Sequence, residues 1–203
     1  MTKMDFDNLD GATPLTHLDL PDLKARHLRT QGELNALEED NIQQAKIWLI
    51  NNQKKLTLEN ILTIEFLLKF HIKMFDKVWK WAGKFRLRDT QLGIDPKQIQ
   101  MQIKLLLDDV NWWIRSQTYN NSEIAYRFHH RLVQIHAFHN GNGRHAREMT
   151  DLLLIKLGTE RFTWGKHANL GKQSDTRHDY IQALRSADKG DYTLLKNFLD
   201  LSD

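Results

Sequence analysis

Apolar residues recur along this chain at the spacing of helix faces, three and four positions apart, over almost its whole length. Thr30 followed by Glu33 forms a capping-box signature. It predicts a helix running to about residue 52, with Leu34, Leu37, Ile42, Ala45 and Leu49 near one face. Thr57 is placed to cap a second helix reaching about Asp76 through Ile61, Leu62, Phe66 and Phe70. Between Gly83 and Asp95 the helical period fails. There Phe85 and Leu87, then Leu92 and Ile94, alternate around Asp-Thr-Gln, which predicts a short β-hairpin and the chain's only β structure. Asp95-Pro96 reads as an N-cap with proline at the first helical position, opening a helix to about Ser116. Ser122 with Glu123 marks the start of another, whose Ile124, Phe128, Leu132 and Ile135 end it near His136. Residues 143 to 157 resume the period up to Gly158, a C-cap glycine, and shorter helices are expected at about 176 to 187 and 191 to 200. The expected fold is all-α, a helical bundle with one hairpin flap.

Composition narrows the class. A chain of 203 residues fits one ordinary domain, expected over residues 30–203 with an N-terminal arm over 1–29. No apolar run approaches the length of a membrane span, and Met-Thr-Lys-Met-Asp-Phe-Asp lacks the apolar centre of a signal peptide. The absence of cysteine excludes disulfides and thiolate metal sites and fits the cytoplasm. A formal charge of +3, without any long run of like charges, gives no reason to expect nucleic-acid binding. The basic excess is local. Four arginines and no acid lie between 127 and 147, which suits a polyanionic ligand such as a nucleoside triphosphate.

That stretch contains the chain's densest chemistry, His-Ala-Phe-His-Asn-Gly-Asn-Gly-Arg-His-Ala-Arg at 136–147. Gly141 and Gly143 are expected to take positive φ and turn successive N–H groups inward as an anion nest, flanking Asn142, whose amide can also reach a phosphate oxygen. Arg144 and Arg147, three apart, would share one face of the helix that starts here, where the unpaired N–H groups and helix dipole already favour phosphate. His136, with an ordinary pKa near ~6.5, can take a proton from a hydroxyl held over a bound phosphoanhydride. Phe138 is expected to pin the loop to the core, and His139 and His145 to lie at its rim. Five of the 10 histidines fall between 129 and 145, but the adjacent His129 and His130 point different ways on a helix, which argues against a histidine-bound metal.

The run resembles the Fic motif H-x-F-x-D/E-G-N-G-R-x-x-R at every specified position but one, since Asn140 stands where that family has an acid. Trp81-Ala-Gly-Lys-Phe-Arg86 and Gly93-Ile-Asp-Pro96 resemble the elements that bracket the Fic substrate flap. Thr30-Gln-Gly-Glu-Leu-Asn35 together with Asn140 is similar to the mobile mystery protein B branch. The resemblance implies a protein adenylyltransferase, moving AMP from ATP to a Ser, Thr or Tyr hydroxyl. In that reading His136 is the base, Gly141, Asn142 and Gly143 hold phosphates, and Arg144 and Arg147 orient the outer ones. Asn140 becomes a neutral, weaker ligand for Mg²⁺, and the 84–95 flap docks the target protein. A helix-turn-helix partner or antitoxin is implied as well. Many Fic proteins are held off by a glutamate paired with the second motif arginine. Glu33 comes closest here, one residue out of register and better suited to capping, with Glu38 or Glu39 next. Phosphotransfer, AMP removal and a non-catalytic nucleotide- or nucleic-acid-binding helical module remain as alternatives.

Overall fold

The computed structural model describes residues 19–28, 30–90, 92–165, 170 and 174–199. Most of the expected N-terminal arm, and Gln91 of the expected flap, lie outside them. Eight α-helices carry the described fold: α1 Gln31–Asn52, α2 Leu58–Ile61, α3 Ile64–Phe75, α4 Ile99–Ser116, α5 Asn121–Ile135, α6 Asn142–Lys156, α7 Asp175–Ala187 and α8 Thr193–Phe198.

Local capping sets most boundaries. At α1 the Thr30 N–H donates to Glu33 Oε2 at 3.0 Å and the Glu33 N–H to Thr30 Oγ1 at 3.2 Å, closing the expected capping box. The helix expected from Thr57 to Asp76 is instead two. Thr57 caps α2, and Thr63 starts α3 by accepting from the Phe66 N–H at 3.1 Å while its own hydroxyl donates to the Asn60 carbonyl. Asp95-Pro96 opens a 3-10 turn, Pro96–Gln98, that runs into α4. Asn120, not Ser122, caps α5 by accepting from the Glu123 N–H at 2.8 Å.

The expected hairpin does not form. Among the described residues the two arms of the 84–95 segment share no ladder; each bonds to the turn after α5. Phe85 bridges Phe138, the Arg86 N–H donates to the Ala137 carbonyl at 3.0 Å, and the Ile94 N–H reaches the Ile135 carbonyl at 3.4 Å. The flap is therefore an open strap laid across residues 135–138.

Two apolar clusters organise the bundle. The larger joins α1, α3, α4, α5 and α6 around Phe70, Phe75, Trp79 and Phe128, all essentially fully buried. The smaller packs α7 and α8 onto α5 and α6 through Tyr180, Ile181, Leu184 and Leu195 against Ala125, Tyr126 and Leu154. Helices α5 and α6 belong to both clusters, so the turn between them, residues 136–141, is held from either side.

Candidate functional site

Helix α5 ends by placing His136 in the left-handed region, φ 52° and ψ 57°, with its N–H still bonded to the Leu132 carbonyl. This position ordinarily falls to glycine or asparagine, and a side chain there costs about 1 kcal/mol. The surroundings enforce it. Gly93 passes so close that a Cβ on it would lie 2.5 Å from the His136 Cβ. Arg86, buried, donates Nε to the His136 carbonyl at 2.7 Å, Nη1 to the Arg88 carbonyl at 3.0 Å and Nη2 to the Ile94 carbonyl. One guanidinium thus fastens both arms of the strap to the histidine turn. Burial, reinforced by the Arg86 charge and only partly offset by a bond to the Val133 carbonyl, pulls the His136 pKa down to about 4, well below its ordinary value. The ring is therefore neutral at pH 7.

The loop that follows is stapled by its own side chains. Asn142 accepts from the Phe138 N–H at 2.8 Å and donates to the Phe138 carbonyl at 2.8 Å. Its amide braces the loop from inside, and its backbone N–H stands at the start of α6. Phe138 packs into the core as expected, its ring stacked on His71 with centroids 3.7 Å apart. His71 accepts from the Gly83 N–H at 2.9 Å through Nδ1, so Nε2 carries the proton and donates to the Asn140 carbonyl at 3.2 Å. The base of the strap and the loop are therefore tied through one buried ring.

Only one of the two motif glycines has positive φ. Gly141, at 78°, is the N-cap of α6, and the Phe75 ring fills the space a Cβ would take, 2.4 Å away. Gly143 is helical, and a Cβ on it would meet nothing nearer than Arg147 Nη1 at 3.8 Å. Its contribution is a bare first turn. No side chain caps α6. The leading N–H groups of a helix have no intrahelical partners, so this turn offers donors and the positive end of the dipole together.

The two motif arginines do not share a face as expected. Arg144 turns toward α1 and α3, where it pairs with Glu38, lies 4.9 Å from the centre of the Phe75 ring and reaches Asn140 Oδ1 at 3.3 Å. Arg147 turns toward α7, with its guanidinium carbon 6.0 Å from the Tyr180 ring centre. Glu33 is exposed and engaged in its capping box. Glu38, one turn further on and buried, is the acid that meets a motif arginine. It also accepts from Trp79 Nε1 at 2.6 Å.

Residues 61–154 match the model of the Fic/DOC family. This segment is a Fic/DOC domain. The protein adenylyltransferase Fic of Aedes aegypti is 25% identical over 154 residues, covering 74% of this chain and 28% of that protein. The protein adenylyltransferase fic-1 of Caenorhabditis elegans is 27% identical over 117 residues, 54% of this chain and 21% of the relative. The chain thus spans less than a third of the length of either. Among solved structures, Fic-1 from C. elegans superposes with a TM-score of 0.62 at 24% identity, covering 78% of this chain and 46% of that one. BepC from Bartonella tribocorum, solved with bound AMPPNP, superposes with a TM-score of 0.63 at 16% identity, covering 93% and 99%. The all-α bundle is the Fic fold. No described helix is long and apolar enough to cross a membrane.

The Fic motif's variant position does not fit a protein-held divalent cation. The Asn140 side-chain oxygen already accepts from the Gly141 N–H at 2.6 Å and faces Arg144 Nη2. A neutral oxygen engaged by two donors, one cationic, is a poor ligand for a hard metal ion. Glu38 is taken by Trp79 and Arg144, and Asp19 by His139. Among the described residues no three His, Cys, Asp or Glu side chains group as a metal site.

Sequence reasoning placed His145 at the rim; it is buried and donates to the Leu67 carbonyl at 3.1 Å. His139 does sit at the edge, 2.6 Å from Asp19. Five imidazoles are buried in all, those of His71, His129, His130, His136 and His145. Desolvation foremost pulls His129 and His145 to about 3 and His136 to about 4, and lowers His71 strongly. Each binds a proton in the unfolded chain near pH 6.5 but not in the fold. Their stabilisation is therefore complete above pH 6.5 and drains away as pH falls toward 4 and below. Asp151, which burial pushes up to about 6, works the opposite way between roughly pH 6 and 4 and offsets one of them. The net expectation is a progressive loss of stability as pH falls from about 6.5 toward 4. Urea unfolding between pH 7.5 and 5 checks it, and stability flat across that range would contradict neutral burial of these rings.

Arg86 and His71 carry the site's architecture although the sequence gives neither a role in it, and Glu38, a fallback candidate for the inhibitory acid, meets the first motif arginine rather than the second. Arg86 lies in the Trp-Ala-Gly-x-x-Arg element, so a signal existed. For His71, a single imidazole on an apolar helix face, no signal distinguishes a bridge from packing.

Proposed function

We propose that this chain is a protein adenylyltransferase, a nucleotidyltransferase that moves AMP from ATP to a hydroxyl of a target protein, with residues 30–203 as its Fic unit and 1–29 as an arm. The observation that carries the reading is the uncapped start of α6, opened by Gly141 and left bare by Gly143, directly following a buried neutral histidine. The curated relatives named above are adenylyltransferases, and one fold neighbour holds an ATP analogue.

In this reading the phosphates of ATP lie against the N–H groups of Asn142, Gly143 and Arg144, within the positive field of α6. The neutral imidazole of His136 takes the proton of the target Ser, Thr or Tyr hydroxyl. That oxygen attacks the α-phosphorus, a new P–O bond forms, and the bond to the β-phosphate oxygen breaks to release pyrophosphate. Arg147, on the α7 side, draws the outer phosphates and stabilises the charge that builds on the leaving group. Arg144, neutralised by Glu38, shapes the loop and steadies Asn140. Any divalent cation arrives on the nucleotide rather than in a protein cage. The strap at 84–95, whose Leu87 side is almost fully exposed, offers backbone to an extended target segment. Such an enzyme would act in the cytoplasm. A helix-turn-helix or antitoxin partner stays a reading of the motif resemblance.

Incubation with ATP labelled at the α-phosphate, followed by mass spectrometry of modified peptides, tests the proposal. Transfer of the α label supports it, and transfer of a γ label alone would mean phosphotransfer instead. Arg147→Ala is expected to weaken ATP by about ten- to a hundredfold, the loss of one charge-assisted contact, with AMP nearly unchanged. Calorimetry giving the same loss for both nucleotides would place Arg147 away from the outer phosphates.

A further inference from the structure

Behind Arg147 the fold builds a line of buried hydrogen bonds whose directions are fixed by its far end. The Thr150 hydroxyl donates to the Ala146 carbonyl at 2.7 Å, so toward His129 Nδ1, 3.5 Å away, its oxygen can only accept. The His129 proton then sits on Nδ1, leaving Nε2 bare. Tyr180 lies 2.8 Å from that Nε2 and must be the donor. Having given its proton to His129, the Tyr180 oxygen can present only lone pairs to the Arg147 guanidinium, which faces its ring at 6.0 Å. Thr150, His129 and Tyr180 are all buried, so water does not scramble the order.

Resting on the phosphate role given to Arg147 above, we infer that Tyr180, oriented by His129, is a positioning residue for Arg147. The hydroxyl aims the guanidinium at the ligand seated on the start of α6, and α7 becomes a working wall of the nucleotide site. The titration of the groups agrees with this direction. Burial and the Arg147 charge keep His129 neutral, so its Nε2 stays an acceptor, and the Arg147 guanidinium counteracts the rise that burial imposes on the Tyr180 hydroxyl. A long arginine side chain left to itself spreads over many rotamers, and one acceptor held still by a second element restricts it before the nucleotide arrives.

Tyr180→Phe removes the hydroxyl and keeps the ring that packs on His129 and Phe198. Calorimetry should show ATP bound about tenfold more weakly with AMP unchanged, and no further loss when the change is made in an Arg147→Ala background. Equal losses for ATP and AMP, or the same loss in both backgrounds, would overturn the inference. If Arg147→Ala binds ATP like the wild type, the phosphate role itself has failed. The Arg147 Nε–H resonance in the nucleotide-free protein then decides separately: a shift with faster exchange in Tyr180→Phe supports the positioning, and an unchanged signal overturns it.

Discussion

His136→Ala is expected to lower AMP transfer by about 10²- to 10⁴-fold while leaving ATP affinity within a few-fold. The imidazole is neutral and basic enough to take a proton, and in the proposed reading the phosphate contacts come from the next helix. Arg86 grips the residue 136 carbonyl rather than its ring, so the turn should survive the loss of the imidazole. A second readout follows from the lowered pKa. If His136 is the base, activity should hold from neutral pH down to the onset of unfolding, its acid limb lying near pH 4 rather than 6.5. Turnover equal to wild type in His136→Ala would remove the residue from the reaction.

What could be read from the chain beforehand divides by distance along it. The Thr30–Glu33 box, the Asp95-Pro96 start and the end of α5 at His136 are events within a few residues, and each stands where its spacing puts it. Thr63 was legible too, yet an unbroken apolar face from Ile61 to Phe70 outweighed it. The strap went wrong because alternation reveals extended backbone but not its partner, and residues 135–138 took both arms. The motif arginines show the same limit. Spacing of three puts two side chains near one face, but each is long enough to follow its own counter-group, Glu38 on α1 or Tyr180 on α7, and those come from elsewhere in the chain. His145 occupies a variable slot of the motif, and only the packing of α3 against α6 makes it interior.

Glu38→Ala should cost about 3 kcal/mol of stability and lower turnover. The carboxylate is 6% exposed and holds two donors, the Trp79 indole N–H and Arg144. Removing one partner of such a pair typically costs 3–5 kcal/mol, and the lower end applies because Arg144 keeps 30% of its side chain in solvent. In a chain of this length that corresponds to a melting temperature lower by about 6–12 °C. Arg144, once released, no longer steadies Asn140 at the mouth of the loop, so activity should fall with stability. Glu38→Gln separates charge from shape, since an amide oxygen can still accept from Trp79 while the ion pair is gone; it should recover part of the stability. Glu33→Gly, which opens an exposed capping box, should cost about 1 kcal/mol and leave turnover unchanged. An inhibitory glutamate would behave in the opposite sense, with turnover rising as the acid is removed. A more active, less stable Glu38→Ala would therefore turn this brace into a restraint on Arg144, and higher turnover from Glu33→Gly would return that role to the start of α1.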